Sequence, residues 1–302
     1  MEIKKLEQMF EVLKSKDKKV LVAAYANDHH TIGAVNQAVD MGIIDATLVG
    51  DISTMKEVCE HEGINPDKFT MVQEADPQKA AFKACELINN GEGDLIMKGL
   101  VSTEQYMRAI LNKEIGLMPP KAILSHVTVM ETPNYHKLLV VGDVAIIPAP
   151  ELKEKIAIAH YLIKTAKALG IEKPRLAALA ASEQVSDKMQ ASIDGALMSK
   201  MAERGQIKGA FVDGPLSLDL AIDKESAEIK KVGGEVAGNA DCILFPNIES
   251  GNVFYKANTK LAKGEQGAIV AGAKVPAVLS SRGDSVQTKL YSIALAALQA
   301  SI

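Results

Sequence analysis

Short apolar runs recur along the chain, and most neighbouring runs are separated by longer stretches in which apolar residues return with a helical spacing. Apolar runs of this length are typical of strands that are buried on both faces of a sheet. The sequence therefore predicts strands at residues 20–24, 46–49, 94–97, 138–141, 176–180, 210–212, 242–245, 268–270 and 275–279.

The helical spacing is clearest in residues 151–169, where Ile156, Ala159 and Ile163 fall on one stripe. A second apolar helix is predicted at residues 286–298. Strands that alternate with helices in this way form a parallel sheet with helices on both faces. The chain is therefore predicted to be an α/β protein with mostly parallel sheets.

Composition and charge narrow the range of partners. The 302 residues are 47% hydrophobic and 24% charged, which is an ordinary globular balance. The 34 basic and 38 acidic residues are interleaved and leave a formal charge of −4, so no nucleic-acid partner is expected.

Cysteine usage and hydropathy bear on the cellular compartment. Cys59, Cys85 and Cys242 are odd in number and lack metal-ligand spacing, so we expect no metal site and a reducing compartment. The start of the chain lacks the apolar core of a signal peptide, and no apolar run approaches the roughly 20 residues of a membrane span. A cytoplasmic protein without a membrane partner is expected.

In open parallel sheets, ligands bind outside the carboxyl ends of the strands. Lys98 follows one predicted strand, and Ser102 with Gln105 has the spacing of a capping box that opens a helix. The N–H groups of that helix start are available to an anion, with the charge of Lys98 nearby. The alternative is a well-capped helix without a ligand.

Two further loops carry polar residues after predicted strands. Asp213 begins an Asp-Gly-Pro sequence, which places a carboxylate at a strand end but is also common turn chemistry. The other loop suits a polar ligand, and it could equally be a helix start capped by Ser250 or Asn252. Its candidate residues are Asn247, Glu249, Gly251 and Asn252.

The turn between the last predicted strand and the last helix holds an arginine. The guanidinium of Arg282 has two parallel N–H donors that match an oxyanion, Ser281 adds a hydroxyl, and Gly283 allows close backbone approach. The alternatives are that Arg282 pairs with a carboxylate and that Asp284 caps the helix, with Gln287 completing a capping box.

Five segments of the chain resemble, in order and spacing, the phosphate acetyltransferase and phosphate butyryltransferase family. They are KGLVST (98–103), GDVAIIPAP (142–150), FVDGPLSLD (211–219), FPNIESGNVFYK (245–256) and LSSRGDS (279–285). The length near 300 residues and the sequence Asp-Gly-Pro-Leu at residues 213–216 look more like the butyryl branch than the acetyl branch.

The resemblance implies a reversible exchange between acyl-CoA with phosphate and acyl phosphate with CoA, in which CoA is a substrate and no cofactor or metal is bound. It also implies two α/β domains of the isocitrate and isopropylmalate dehydrogenase type, an inter-domain cleft, and a homodimer or larger homo-oligomer. With the boundaries suggested by residues 118–120 and 264–272, the first domain comprises 1–118 plus 268–302 and the second comprises 119–267.

The resemblance further assigns roles to single residues. Ser281 and Arg282 match the family residues that stabilise the transition state and bind the acyl phosphate. The acetyl branch has an aspartate base six residues after the arginine, where this chain has Thr288, so we interpret Asp284 as the replacement base. If Asp284 is not the base, Asp213, Asp219, Glu249 or bulk water remain. The substrate-binding candidates are Lys98, Ser102, Thr103, Asp213, Asn247, Glu249, Gly251, Asn252 and Gly283.

Other functions remain open at this point. Phosphate acetyltransferase activity on acetyl-CoA is the first alternative, and a non-catalytic acyl-CoA sensor would keep the pocket without the chemistry. A dehydrogenase of related fold is a further alternative. No Gly-x-Gly-x-x-Gly follows a predicted strand, which argues only against a Rossmann-type nicotinamide site.

Overall fold

The computed structural model describes residues 2–279 and 285–302. The predicted site residues Ser281, Arg282, Gly283 and Asp284 lie outside the described residues.

The chain divides into two compact units. The first unit comprises Glu7–Leu124 and Gly267–Ile302, and the second comprises the chain up to Leu6 together with Ser125–Gln266. The start of the chain belongs to the second unit because Ile3 N–H donates to the Leu169 carbonyl (2.8 Å) and Leu6 N–H donates to the Glu131 carboxylate (2.8 Å). The predicted boundaries placed these first residues in the other domain.

The elements alternate along the chain as the hydrophobic pattern predicts. The strands are β1 Lys19–Ala24, β2 Ile44–Gly50, β3 Thr70–Gln73, β4 Leu95–Lys98, β5 Ser125–Glu131, β6 Leu139–Gly142, β7 Arg175–Leu179, β8 Phe211–Leu216, β9 Cys242–Leu244, β10 Glu265–Ala271 and β11 Ala277–Val278. The helices are α1 Gln8–Lys14, α2 His29–Asp40, α3 Ile52–His61, α4 Pro77–Asn89, α5 Thr103–Ile110, α6 Leu152–Ala168, α7 Gln190–Glu203, α8 Leu218–Ile222, α9 Lys224–Ile229, α10 Ile248–Lys260 and α11 Val286–Gln299, with a 3-10 turn at Pro66–Lys68.

Parallel pairing dominates in both units. The strands of the first unit lie in the order β3-β2-β1-β4-β11-β10, and those of the second lie in the order β5-β6-β9-β7-β8. The pairs β10–β11 and β5–β6 are antiparallel, while β1–β2, β1–β4, β6–β9, β7–β9 and β7–β8 are parallel. The prediction of an α/β protein with mostly parallel sheets is confirmed.

Several predicted boundaries are wrong. Strands β3 and β5 were not predicted, because polar residues interrupt their apolar pattern, although β5 is buried over nearly its whole length. Strand β8 continues through Asp213 to Leu216 instead of ending at Val212. Helix α10 begins at Ile248, before both of the predicted alternative caps, Ser250 and Asn252. Strand β11 is limited to Ala277–Val278.

Helix α11 forms much of the core of the first unit. Its residues Leu290–Leu298 are buried on every side, as expected for a helix without a polar face. The ring of Tyr291 stacks on that of Phe10 with 5.6 Å between centroids. Gly267 on β10 permits this packing, because a Cβ there would lie 2.7 Å from the Tyr291 backbone. Core packing thus fixes α11, whose first turn follows the predicted Ser281–Arg282 segment.

The loop after β6 is held by one buried carboxylate. Asp143 is 2% exposed and accepts hydrogen bonds from the Ser125 hydroxyl and His126 N–H (both 3.0 Å). Its second oxygen accepts from the N–H groups of Ala145 (2.7 Å) and Ile146 (2.8 Å). A buried carboxylate is stable only when donors satisfy it, so this residue sets the path of the loop.

Helix α10 packs directly on that loop. The Asn252 side chain donates to the Val144 carbonyl (3.1 Å), and Ile248 N–H donates to the Pro148 carbonyl (2.9 Å). A Cβ on Gly251 would lie 2.3 Å from the Asp143 carbonyl oxygen and 3.0 Å from the Phe245 ring. Gly251 is therefore required for the close approach of helix and loop.

We expect Gly251→Ala to destabilise the protein by about 1–3 kcal/mol, because the added methyl group overlaps backbone that cannot move freely. Alanine's better helix propensity, about 1 kcal/mol, offsets only part of this cost. Urea unfolding followed by circular dichroism measures the effect as a lower midpoint. Gly33→Ala is the matched control, since Gly33 also lies within a helix and its Cβ would meet no atom within 4 Å, and equal midpoints for the two variants would contradict the packing argument.

Candidate active site

The carboxyl ends of three parallel strands lie side by side in the second unit. Val141 of β6 pairs with Ile243 of β9, and Ile243 also pairs with Ala177 of β7. The loops that follow these strands therefore start next to one another. Two of them are the segments GDVAIIPAP and FPNIESGNVFYK, which were singled out from the sequence.

These loops border an open cavity of about 620 Å³, which lies within the range of roughly 300–1,000 Å³ typical of small-molecule sites. All three loops and the first turns of α6 and α7 contribute to its walls, most of which are small or apolar. The lining residues are Ala149, Pro150, Glu151, Leu152, Lys155, Ala180, Ala181, Met189, Gln190, Ala191, Asp194, Pro246 and Asn247.

A buried ion pair forms part of this cavity wall. Lys155 Nζ lies 2.6 Å from Asp194 Oδ2, and each side chain is only 4% exposed. The Gln190 side chain donates to the other Asp194 oxygen (2.8 Å). These three residues were not predicted as site residues. The available signal was a lysine on the face of α6 that also carries the buried residues Ala159 and Leu162.

Asn247 is the predicted substrate-binding residue that borders the cavity. It also caps α10, since its side-chain oxygen accepts from Ser250 N–H (3.0 Å), so the alternative caps Ser250 and Asn252 are wrong. Glu249 lies exposed in the first turn of α10. Gly251 and Asn252 hold the helix against the loop after β6, and the structure thus gives both a packing role.

Asp213 does not lie at a strand end, and its Asp-Gly-Pro sequence does not form a turn. It lies within β8 opposite Ala177, half-buried, and accepts from the N–H of Gly214 (2.8 Å). Gly214 and Gly195 let α7 approach this strand closely, because a Cβ on Gly214 would lie 3.1 Å from the Gly195 Cα.

Asp219, a further candidate base, lies exposed on α8. Hydrogen bonds from the Lys230 ammonium and the Ser217 hydroxyl lower the pKa of its carboxyl to about 2. A carboxylate with so low a pKa is a weak base near neutral pH.

The remaining described candidates lie in the first unit. Lys98 ends β4 with 8% exposure, and its ammonium donates to the carbonyls of Gly99 and Val101 (both 3.1 Å). The predicted capping box of α5 is confirmed: Gln105 N–H donates to Ser102 Oγ (3.2 Å), and Ser102 N–H donates to Gln105 Oε1 (3.4 Å). Thr103 is the first residue of α5 and is exposed.

The cap of α11 bears on the role of Asp284. Ser285 occupies the N-cap position and accepts from Thr288 N–H (3.1 Å), while the two hydroxyl oxygens lie 3.0 Å apart. The N-cap position that was an alternative for Asp284 therefore belongs to the next residue. Both the N–H and the hydroxyl of Thr288 therefore contact the Ser285 side chain of this cap.

The cysteines are unsuited to supplying a nucleophile. Cys59, Cys85 and Cys242 are buried, and burial raises the pKa of the Cys85 thiol to about 12. Over residues 2–279 and 285–302, no group of three or more His, Cys, Asp or Glu side chains is arranged to hold a metal ion. Across the same residues, no helix has both the length and the apolarity of a membrane span.

Solved structures with the same fold include acyl-transfer enzymes and a dehydrogenase. A branched-chain phosphotransacylase from Enterococcus faecalis superposes with a TM-score of 0.81 at 28% identity, over 93% of this chain and 99% of its own. A 4-hydroxythreonine-4-phosphate dehydrogenase from Klebsiella pneumoniae superposes with a TM-score of 0.58 at 12% identity, over 94% of this chain and 100% of its own, which shows fold alone. The predicted dehydrogenase-like fold is thereby confirmed.

Sequence relatives match nearly the whole chain. A phosphate butyryltransferase of Clostridium acetobutylicum is 47% identical over 99% of both chains. A phosphate acetyltransferase of Thermotoga maritima is 38% identical over 97% of this chain and 99% of its own. The family model described as phosphate acetyl/butaryl transferase matches residues 76–297. With this match and full-length identities well above 30%, the chain belongs to the phosphate acetyl/butaryl transferase family.

Proposed function

We propose that this chain catalyses the reversible conversion of butyryl-CoA and phosphate to butyryl phosphate and CoA. Its family makes it an acyltransferase that moves an acyl group between CoA and phosphate, and the butyryl group is the proposed part. The observation that carries the choice is the 47% identity, over 99% of both chains, to a phosphate butyryltransferase.

In the direction of acyl-CoA formation, the CoA thiolate attacks the carbonyl carbon of butyryl phosphate. A carbon–sulfur bond forms, the bond from that carbon to the phosphate oxygen breaks, and phosphate leaves with the electron pair. In this proposal Arg282 binds the phosphate through its two parallel donors, and the Ser281 hydroxyl donates to the developing oxyanion. The buried cysteines with raised thiol pKa fit a reaction in which the substrate supplies the sulfur.

Asp284 is our proposed acceptor of the thiol proton. Thr288 is too weakly acidic for its alkoxide to act as a base near neutral pH, and its hydroxyl lies beside Ser285 at the helix cap. The N-cap of α11 is Ser285, so Asp284 is not needed there. Asp219 is a poor competitor because its carboxyl pKa is lowered to about 2.

The other substrate-binding candidates remain part of the proposal: Lys98, Ser102, Thr103, Asp213, Asn247, Glu249, Gly251, Asn252 and Gly283. Asn247 has the most direct support, since it borders a cavity at the carboxyl ends of the strands. We also propose a cytoplasmic homodimer or larger homo-oligomer that uses no bound cofactor. These last points rest on the family resemblance and on composition.

Acetyl transfer is the second candidate activity, and it is favoured by the 38% identity to the Thermotoga maritima phosphate acetyltransferase. Both activities would use the same chemistry and differ in the acyl group that the enzyme accepts. Kinetics with acyl-CoA substrates of different chain length distinguish the two activities.

We expect Arg282→Gln to lower acyl-transfer turnover about 100-fold or more, because glutamine cannot replace the charged guanidinium group that binds the leaving phosphate. The measurement is release of CoA thiol from butyryl-CoA and phosphate. Arg282→Lys is the matched control, since it keeps the charge but loses the two parallel N–H donors of the guanidinium group. Its turnover should lie between those of wild type and Arg282→Gln. A folded Arg282→Gln protein with near wild-type turnover would remove Arg282 from the reaction.

Butyryl-CoA should be preferred over acetyl-CoA by roughly 10-fold in kcat/KM. Two additional methylenes in a fitting pocket contribute about 0.8 kcal/mol each, and about 1.4 kcal/mol corresponds to a factor of ten. Kinetics with acetyl-CoA, propionyl-CoA, butyryl-CoA and isobutyryl-CoA, each with phosphate, provide the comparison. A clear preference for acetyl-CoA would transfer the assignment to the acetyl branch.

Asp284→Asn should lower turnover by about 100- to 10,000-fold, since it removes a general base while preserving shape. The residual rate should rise with pH toward the thiol pKa of about 8.5, where the thiolate forms without a base. A pH–rate profile of both proteins tests this. Asp76→Asn, which retains the cap of α4, is the matched control, and its turnover and pH–rate profile should equal those of wild type. A wild-type rate and profile in Asp284→Asn would exclude Asp284 as the base.

A further inference from the structure

The cavity of the second unit contains a lysine with unused hydrogen-bonding capacity. Lys155 Nζ donates to Asp194 Oδ2, and within the described part of the chain it makes no other hydrogen bond. An ammonium group carries three donors, and this one belongs to a side chain that is only 4% exposed. Buried donors without partners are costly, so a ligand with acceptor oxygens would be stabilised here.

The charged side chains around the cavity indicate which kind of ligand group would accept a hydrogen bond from Lys155. Lys155 is the cationic residue of the cavity wall, whereas Asp194 and Glu151 are both anionic. The charged side chains of the wall are therefore net negative, and a phosphate group beside Lys155 would be repelled by the Asp194 carboxylate that already pairs with it. An uncharged carbonyl oxygen accepts the same hydrogen bond without this repulsion.

The size and lining of the cavity limit the ligand further. A volume of about 620 Å³ exceeds what a four-carbon acyl chain fills. Alanine, proline, leucine and methionine side chains form most of the wall, and the amides of Gln190 and Asn247 lie at its border. This lining suits an elongated, uncharged group that carries amide bonds and alkyl segments.

We infer that this cavity receives the pantetheine arm of CoA, and that Lys155, held by Asp194, donates to one of its amide carbonyls. The inference rests on the proposed function, since it presupposes that CoA is the substrate. Of the groups in that reaction, the pantetheine arm is the long uncharged one with amide carbonyls. The phosphate-bearing nucleotide end and the acyl phosphate are both anionic and do not suit a net negative wall.

The test replaces the pair by apolar residues of similar size, in Lys155→Met/Asp194→Leu. Removing both partners avoids leaving a buried carboxylate unpaired, so the variant should fold. We expect KM for CoA to rise about 10- to 100-fold, the usual effect of losing a hydrogen bond from a charged donor, and KM for butyryl phosphate to change less than about twofold.

Two probes locate the lost contact on the CoA molecule. With pantetheine as the acyl acceptor, kcat/KM should fall by the same factor as with CoA, because the arm is common to both. The inhibition constant of adenosine 3′,5′-bisphosphate, which carries only the nucleotide end, should be unchanged. Weaker adenosine bisphosphate binding with unchanged use of pantetheine would overturn the inference, and so would an unaltered KM for CoA.

The control removes a second lysine–aspartate pair of the second unit, in which Asp241 is buried and Lys137 is partly buried. Lys137 Nζ lies 2.5 Å from Asp241, and this pair adjoins the amino ends of β6, β7 and β9. Lys137→Met/Asp241→Asn should leave KM for CoA unchanged even if stability falls. A rise in KM for CoA in this control equal to that in the Lys155 variant would mean that any buried pair gives the effect, which overturns the inference.

A milder variant covers the case in which the apolar one does not fold. Lys155→Gln/Asp194→Asn keeps a neutral hydrogen-bonded pair and should raise KM for CoA about 3- to 10-fold through the weaker donor; no change in KM overturns the inference. Failure of the proposed function itself is distinguishable, because the wild-type protein would then neither bind CoA nor transfer an acyl group. An active wild type with a normal KM for CoA in the double variants rejects only the pantetheine site.

Discussion

The carboxylate of Asp143 is buried directly after β6 and accepts hydrogen bonds from one hydroxyl and three backbone N–H groups. Hydrogen bonds to a charged group are worth about 1.5–3 kcal/mol each, whereas an unsatisfied buried carboxylate costs more than any one of them returns. The loop therefore has one path that satisfies all four bonds. Helix α10 is then placed by contacts to this loop, through Asn252 and the missing side chain of Gly251. The wall of the cavity at residues 149–152 follows from the same loop path.

Three carboxylates of the second unit, those of Asp143, Asp194 and Asp241, are buried, and each is stabilised differently. Backbone N–H groups and a hydroxyl satisfy Asp143, whereas Lys137 and the Arg175 N–H satisfy Asp241 at the amino ends of the strands. Asp194 is paired with Lys155, which retains donors beyond that one contact. Buried ion pairs contribute little net stability on average. A pair beside a cavity, with donors left over, is therefore better explained by a ligand than by stability.

The hydrophobic pattern predicted most of the parallel strands, because strands such as β1 and β9 are buried on both faces and need apolar residues throughout. The same rule failed for β5, where Ser125, His126 and Thr128 are buried polar residues. Ser125 and His126 donate to Asp143 after β6, and the Thr128 hydroxyl lies 3.2 Å from the ring of His126 within the same strand. The capping box of α5 is a local interaction over four residues, and it was predictable from those residues. The pairing of Lys155 with Asp194 spans 39 residues and depends on how α6 and α7 pack, which no local pattern encodes. The same limit applies to Asp213, whose place within β8 depends on its pairing with Ala177 of β7.

The motif residues divide into two kinds once their contacts are known. Gly251, Asn252 and Gly214 serve close packing, and Ser102 caps the start of α5, so a motif match at these positions indicates that the scaffold is preserved. Asn247 has a capping role and also borders a cavity. A buried ion pair with donors to spare is a different kind of candidate, because its remaining donors are available to a ligand. Lys155 is such a candidate, although none of the five motif segments contains it. The described motif residues thus account mainly for the scaffold around the cavity, whereas the Lys155–Asp194 pair is recognised by the hydrogen bonds of its buried polar groups.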